Sequence, residues 1–206
     1  SAFAFTLPAS IAAGDQPLIT EALTEIQKAV ERAGAITAGL RRLSRGTAKS
    51  AFEPIELKTV ITEAMGLASA RTRADGLVLE LDLQTTATVQ GNGVQLLQVL
   101  LNLVNNAVDA VKGAPVRQLA VRARDDDAFA LVIVEDTGPG IAAEHAGRLF
   151  DRFFTTKEPD EGTGLGLSIS RDIVESMHGT LTWDRLGDRT RFLVRLPKVT
   201  PAGAPA

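Results

Sequence analysis

The sequence predicts a mixed α/β chain, in which a long amphipathic helix precedes a domain of interleaved helices and strands. Three features carry that expectation. Apolar residues from Ile19 to Leu43 recur every three or four positions, and Leu77, Leu79, Leu81 and Leu83 recur every two. A second helical run, Val94–Val111, leads into short apolar strands such as Leu131–Val134, which ends in a Gly-rich turn. With 206 residues, 45% of them hydrophobic, the chain can form one globular domain with an extension or two small domains. Aromatics are 4% and Tyr is absent, so the core must be aliphatic. Twenty-two Lys and Arg against 25 Asp and Glu leave a net charge of −3, which argues against a nucleic-acid partner. The absence of Cys removes disulfides, thiolate metal sites and Cys nucleophiles, and two His leave little for an imidazole metal site. Carboxylates, amides and backbone remain as the chemical repertoire.

In chain order, residues 1–14 read as an irregular N-terminal segment. Its apolar stretch Phe3–Ala13 is about half the ~20 residues a membrane span needs, contains Pro8 and has no basic cluster before it. This segment is therefore expected to make no membrane contact and the chain to be cytoplasmic. It opens on Ser rather than Met, which reads as a piece of something longer, whose full-length parent could be membrane-anchored. Gly14-Asp15-Gln16-Pro17 supplies a helix start, and residues 15–45 form the long helix. Its stripe is wider than one domain face requires, so either it pairs with other helices, making a homodimer through residues 18–43, or it packs on the domain that follows. Residues 46–54, with Gly, Ser and Pro, read as a linker. Residues 55–197 form the main domain: a helix near 57–70, strands near 77–83 and 87–90, the long helix 94–111, and strands near 119–124 and 129–135. A short helix near 142–150, a polar loop 155–163, a helix near 165–178 and closing strands near 180–184 and 191–196 complete it. Residues 198–206, rich in Pro, Ala and Gly, are expected to be a flexible tail.

Three constellations carry chemistry. Asn102, Asn106 and Asp109 share one face of the long helix, although mid-helix Asn costs stability. Amide oxygens are hard ligands suited to Mg²⁺, and the alternative is a solvated polar face. Asp136-Thr137-Gly138-Pro139-Gly140-Ile141 ends an apolar strand, so the carboxylate can accept from an exocyclic amine while the glycines let backbone approach a flat ligand. An ordinary strand-to-helix turn reads the same way. Thr155-Thr156-Lys157 is followed by Gly162-Thr163-Gly164-Leu165-Gly166-Leu167 at a helix start, where backbone N–H groups can hold an anion and Lys157 can add charge, unless the glycines are a hinge. Neither the P-loop pattern nor the dinucleotide fingerprint is present.

Asn102–Ala110, Asp136–Ile141, Phe150–Lys157 and Gly162–Leu167, in this order, resemble the N, G1, F and G2 boxes of the sensor histidine kinase catalytic domain. That domain belongs to the superfamily shared with gyrase, the 90-kilodalton chaperone and MutL-type repair proteins. LLNLVNNAVDA, FFTTK and GTGLGLSIS, with four residues between Lys157 and Gly162, are similar to the short-lid kinases of the nitrogen-regulation and oxygen-sensing type. Residues 19–43 also resemble the second helix of their dimerisation hairpin. The resemblance implies an α/β two-layer sandwich, with a mixed sheet of about five strands and three covering helices, that binds ATP and Mg²⁺. It implies that Asn106 ligates the metal with support from Asn102 and Asp109, that Asp136 accepts the adenine amino group, and that Gly138, Gly140 and Ile141 line the base. Gly162, Thr163, Gly164, Leu165, Gly166 and Leu167 would wrap the phosphates, and Phe150, Phe153 and Phe154 would pack the hinge of the lid. Thr155 and Lys157 would stand near the terminal phosphate, and Thr190 at the edge of the base. The expected activity is that of an ATP-dependent protein-histidine kinase acting on a response regulator.

One departure concerns the phosphoacceptor His, which in such kinases lies on the first hairpin helix. The residues before Asp15 contain none, so no catalytic residue is assigned in this chain. His145 and His178 are expected to be structural. Either that helix belongs to a longer chain, or the chain is a degenerate ATP-binding regulatory module without phosphotransfer. A smaller departure is Asn92, where relatives usually place Asp, which is expected to affect only a helix cap.

Overall fold

The computed structural model describes residues 52–157, except 75, and 162–199, which lie within one compact unit, Ala48–Ala206. The helix expected at 15–45, the dimerisation through 18–43, most of the linker and the end of the tail lie outside the described residues. Among the described residues, seven strands and four helices follow in the order β1 (Glu53–Glu56), α1 (Leu57–Ala74), β2 (Val78–Gln84), β3 (Thr88–Gly91), α2 (Gly93–Ala110), β4 (Gln118–Asp126) and β5 (Phe129–Asp136), then α3 (Ala143–Ala146), α4 (Gly166–Ser176), β6 (Thr180–Leu186) and β7 (Arg189–Pro197).

The main sheet has the order β2-β4-β5-β7-β6; β2 and β4 run parallel and the other neighbours antiparallel. Helices α1, α2 and α4 cover one face of it. This is the expected two-layer α/β sandwich with a mixed five-stranded sheet. Its core comes from two periodicities. On α2, Leu96, Val99, Leu100, Leu103, Val104, Ala107 and Val108 are buried at steps of three and four. On the strands, Leu119, Val121 and Ala123 of β4, Val132 and Val134 of β5, and Phe192, Val194 and Leu196 of β7 are buried at steps of two. The N-terminus of α2 is capped by Asn92, whose side chain accepts from the Gln95 N–H at 3.0 Å, so an amide serves there as the sequence predicts.

Two boundaries differ from expectation. The strand β1 starts at Glu53, inside the expected linker, and pairs antiparallel with β3 to form a separate two-stranded sheet. Ile55 is its one buried side chain, and Pro54 is tolerated because a two-stranded ribbon leaves edges open. The expected tail begins at 198, yet Lys198 N donates to Ala128 O at 2.9 Å and Val199 N to Thr88 O at 2.8 Å. Those two residues continue β7 past the edge of β3 instead of fraying.

The face of the sheet opposite α1, α2 and α4 carries charge of alternating sign. Arg122 donates to Glu80 at 3.0 Å and to Glu135 at 3.2 Å, Arg191 stands across from Glu135, and Arg191 donates to both Asp184 oxygens at 2.6 Å. Every charge in that row has an opposite neighbour on the adjacent strand.

Candidate functional site

The strand β5 ends at Asp136, whose side chain lies on the helix-covered face and is 2% exposed. Its Oδ1 accepts from Gly138 N at 2.8 Å, and its Oδ2 has no hydrogen-bond partner among the described residues. Burial pushes the carboxyl up from 3.8 to about 6, against the opposing effects of the Gly138 N–H and the Arg185 charge. Directly across the ladder on β7 stands Thr190, 3% exposed, whose hydroxyl has no hydrogen-bond partner among the described residues. A buried carboxylate and a buried orphan hydroxyl side by side are costly in a finished core. They are reasonable in a site that a polar ligand completes.

Backbone shape fits the same conclusion. A Cβ at Gly138 would stand 2.8 Å from Asp136 Oδ1 and 2.9 Å from the Ala110 Cβ and carbonyl oxygen, so the loop after β5 lies directly against the end of α2. Gly140 has φ +88, and a Cβ there would overlap Nη1 of Arg185. Thr137 fixes the loop from the outside: its hydroxyl donates to Val116 O at 2.9 Å and accepts from Gln118 N at 3.0 Å. Ile141 is half-buried against the core.

On α2, Asn102 and Asn106 are one turn apart and half-buried, with Asp109 a further three residues along. Asn102 is committed to packing: its Nδ2 donates to Ser170 Oγ of α4 at 3.0 Å, and a Cβ at Gly166 would overlap its Oδ1. It braces the start of α4 against α2. Asp109 Oδ2 accepts from Lys157 Nζ at 2.5 Å, so the lysine expected near a terminal phosphate is held on the acidic end of the Asn face. Among the described residues no group of three His, Asp or Glu side chains can hold a metal ion; an ion at Asn106 would draw on ligand oxygens for most of its shell.

The glycine run leads into α4 through tight backbone. Gly164 has φ +63, and its carbonyl accepts from Phe153 N at 2.8 Å, with the Phe153 backbone where a Cβ would lie. A Cβ at Gly162 would overlap Thr155 Oγ1, which itself accepts from Lys157 N at 3.1 Å. Thr163 Oγ1 accepts from Leu165 N at 3.4 Å, Leu165 is buried, and Leu167 packs at the rim of the core. The first-turn N–H groups of α4 thus open beside the Asn face of α2.

The three phenylalanines do not act alike. Phe150 packs against the core with the Arg171 guanidinium 5.4 Å from its ring centre. Phe154 lies 5.5 Å from the His145 ring and under Arg148. Phe153, expected with them in the hinge, is instead 75% exposed. Its φ of +66, with its N–H on Gly164, turns the side chain away from the core. His145 thus serves aromatic packing, and His178, at φ +59, ends α4 with its N–H on Glu175 O at 2.9 Å.

Sequence reasoning singled out neither Ser170 nor Arg185. The hairpin turning at Gly187-Asp188 puts Arg185 opposite Thr190, so Arg185, Thr190 and Asp136 form one row across three strands. Counting back from Thr190 through that turn was the available signal.

Residues 91–200 match the family model described as histidine kinase-, DNA gyrase B-, and HSP90-like ATPase. The two-component sensor PprA of Pseudomonas aeruginosa is 36% identical over 92% of this chain, and the sensor protein FixL of Bradyrhizobium diazoefficiens is 38% identical over 81%. The chain spans 21% and 33% of their respective lengths. Among solved structures, the catalytic domain of histidine kinase ThkA is similar with a TM-score of 0.65 and 29% identity, over 72% of this chain and 96% of that one. The family match takes in β5 with Asp136, the Asn face of α2 and the glycine-led start of α4, and the two-layer α/β sandwich is similar to that kinase catalytic domain. The chain belongs to the histidine kinase-, DNA gyrase B-, and HSP90-like ATPases, and its domain is of the sensor histidine kinase catalytic type.

Proposed function

We propose that this domain binds Mg–ATP and presents the γ-phosphoryl group to a His outside these 206 residues, from which it passes to an Asp of a response regulator. The observation that carries the reading is the pairing of Asp136 with Thr190 on one wall: a buried carboxylate that receives one backbone N–H, and a buried hydroxyl with no partner among the described residues. An adenine amine donates to Asp136 Oδ2 and a ring nitrogen accepts from Thr190, while Gly138, Gly140 and Ile141 leave room for a flat base. The N–H groups of Gly162–Leu167, at the positive end of α4, hold phosphate oxygens. Asn106 supplies the metal ligand, and Lys157 exchanges Asp109 for the terminal phosphate.

When bound, Mg–ATP supplies the transferable phosphoryl group and most of the metal shell. The residues of this chain then bind, orient and neutralise charge, with no covalent step of their own. Dimerisation through residues 18–43 and a cytoplasmic location belong to the same proposal; no helix among the described residues is long and apolar enough to cross a membrane.

Calorimetric titration with ATP, with and without Mg²⁺, tests the reading. Asn106→Ala is expected to remove most of the Mg²⁺ dependence while leaving metal-free binding intact. Unchanged Mg²⁺ linkage would refute the role of Asn106. The alternative reading is a regulatory module that binds nucleotide without transfer. Labelled ATP mixed with this chain and a His-bearing relative whose own ATP site is inactivated separates the two. Nucleotide binding without label on the relative selects the module.

A further inference from the structure

Arg185 lies on β6, two strands away from the loop that follows β5, yet its guanidinium reaches that loop. Nη1 donates to Pro139 O at 3.0 Å, and Nε donates to Gly187 O at 3.3 Å in its own hairpin turn. One planar group therefore ties the Gly138–Ile141 loop to the β6–β7 hairpin. The fit is close: Nη1 takes the space of the missing Gly140 side chain, at a residue whose φ of +88 already excludes most side chains. The same guanidinium acts on Asp136 across Thr190 and works against the effect of burial.

We propose that Arg185 is a positioning residue for base recognition, fastening the Pro139–Gly140 loop to the outer hairpin and holding a fixed positive charge beside the acceptor carboxylate. This rests on the reading of Asp136 as the adenine acceptor. Arg185 does not touch the base; it acts through the loop that lines the base and through the carboxylate.

The other groups around Asp136 leave Arg185 as the charge that matters. Thr190 from β7 and Leu119 from β4 are its neutral ladder neighbours, and Ala110 closes the α2 side. Asp109 on α2 is engaged by Lys157. Glu135 lies on the opposite face of the sheet, with Arg122 and Arg191 beside it.

The test uses the whole chain and adenosine, a probe without phosphates to titrate, in calorimetry from pH 5 to pH 8 at fixed ionic strength. Arg185→Ala is expected to weaken binding about threefold to tenfold on the high-pH plateau, the scale of one exposed charge-assisted hydrogen bond. It is also expected to move the midpoint of the pH profile upward, because Asp136 loses the charge that favours its ionised form. Arg185→Lys keeps the charge but lacks the planar fork, so it restores the midpoint and not the plateau. A loop that is merely packed would show the same midpoint in all three chains. An Arg185→Ala chain with wild-type plateau and midpoint overturns the proposal, as does a midpoint that Lys fails to restore. Asp136→Asn separates this failure from that of the adenine reading: if it binds adenosine as well as wild type, or if wild type binds none, the reading itself falls and this proposal with it.

Discussion

Asp136→Asn is expected to move stability and binding in opposite directions. Burial raises the Asp136 carboxyl from 3.8 to about 6. A raised value means that the proton is held more tightly in the folded chain than in the unfolded one. The associated stabilisation is complete below pH ~4 and is lost as pH rises through about 6. At roughly 1.4 kcal/mol per pH unit, ionising this carboxyl in the folded, nucleotide-free chain costs about 3 kcal/mol. An Asn still accepts from Gly138 N and never ionises, so Asp136→Asn should raise stability at pH 8 by up to about 3 kcal/mol and by almost nothing at pH 4. Binding follows the ionised form. With half of the carboxyl protonated at pH 6, adenosine affinity falls about twofold there and about elevenfold at pH 5, whereas an ordinary carboxyl would lose under about 10% at pH 5. Asp136→Asn turns an NH₂ or a crowded oxygen to the adenine amine, and should bind weakly with no pH dependence over this range. Denaturant melts at pH 4 and pH 8 give the stability arm, and adenosine calorimetry gives the binding arm. A substitution that destabilises the chain at pH 8, or a wild-type affinity flat from pH 5 to pH 8, would show that the buried carboxylate is neither strained nor the acceptor.

Three further outcomes are expected. Lys157→Met should weaken ATP by about tenfold and ADP by much less, since the ammonium released from Asp109 has the terminal phosphate as its new partner; equal losses in the two titrations would place Lys157 elsewhere. In Gly166→Ala the new Cβ displaces Asn102 from Ser170 and shifts the start of α4, so ATP affinity should fall while adenosine affinity stays level. Parallel losses would mean that the whole domain has moved. Leu103→Ala, at a fully buried position of α2, should cost about 2–5 kcal/mol in denaturant unfolding, and a loss under about 1 kcal/mol would mean that the α2–sheet contact is loose.

What was legible in the sequence divides along a physical line. The core face of α2 and the buried faces of β4, β5 and β7 follow from periodicity, because burial acts on every residue of an element at once. Asp136 stood out as a carboxylate closing an apolar strand before two glycines, a pattern that an ordinary strand-to-helix turn shares and that only the neighbouring boxes set apart. The strand β1 was not, since four residues with one buried side chain carry no period, and its pairing with β3 joins segments about 35 residues apart in sequence. The commitment of Asn102 to Ser170, 68 residues away, and the bond of Arg185 to Pro139 O, 46 residues away, were hidden for the same reason. A hydroxyl or a carbonyl as partner has no sequence signature. Phe153 misled because three close phenylalanines suggest one cluster, whereas a single positive φ sends the middle one outward.

Two adjacent carboxylates on β5 meet opposite surroundings. Glu135 and Asp136 are both buried, at 7% and 2% exposure, and the pleat sends them to opposite faces of the sheet. Glu135 meets Arg122 at 3.2 Å and stands across from Arg191, within a row where charges alternate from β2 to β6. The fold thus has cations in place along this strand end and pairs a buried carboxylate where only stability is at stake. On the other face Asp136 receives one backbone N–H and a more distant guanidinium, and its ladder neighbour Thr190 is left with no partner at all among the described residues. Packing alone gives no reason to keep that arrangement, since an amide or an apolar side chain at 136 would remove the ionisation cost. The proposed recognition does: an adenine amine donates more strongly to an ionised acceptor in a dry pocket, with a neighbouring hydroxyl beside the ring. The destabilising placement of Asp136 is therefore what favours the proposal that this wall of the sheet binds nucleotide.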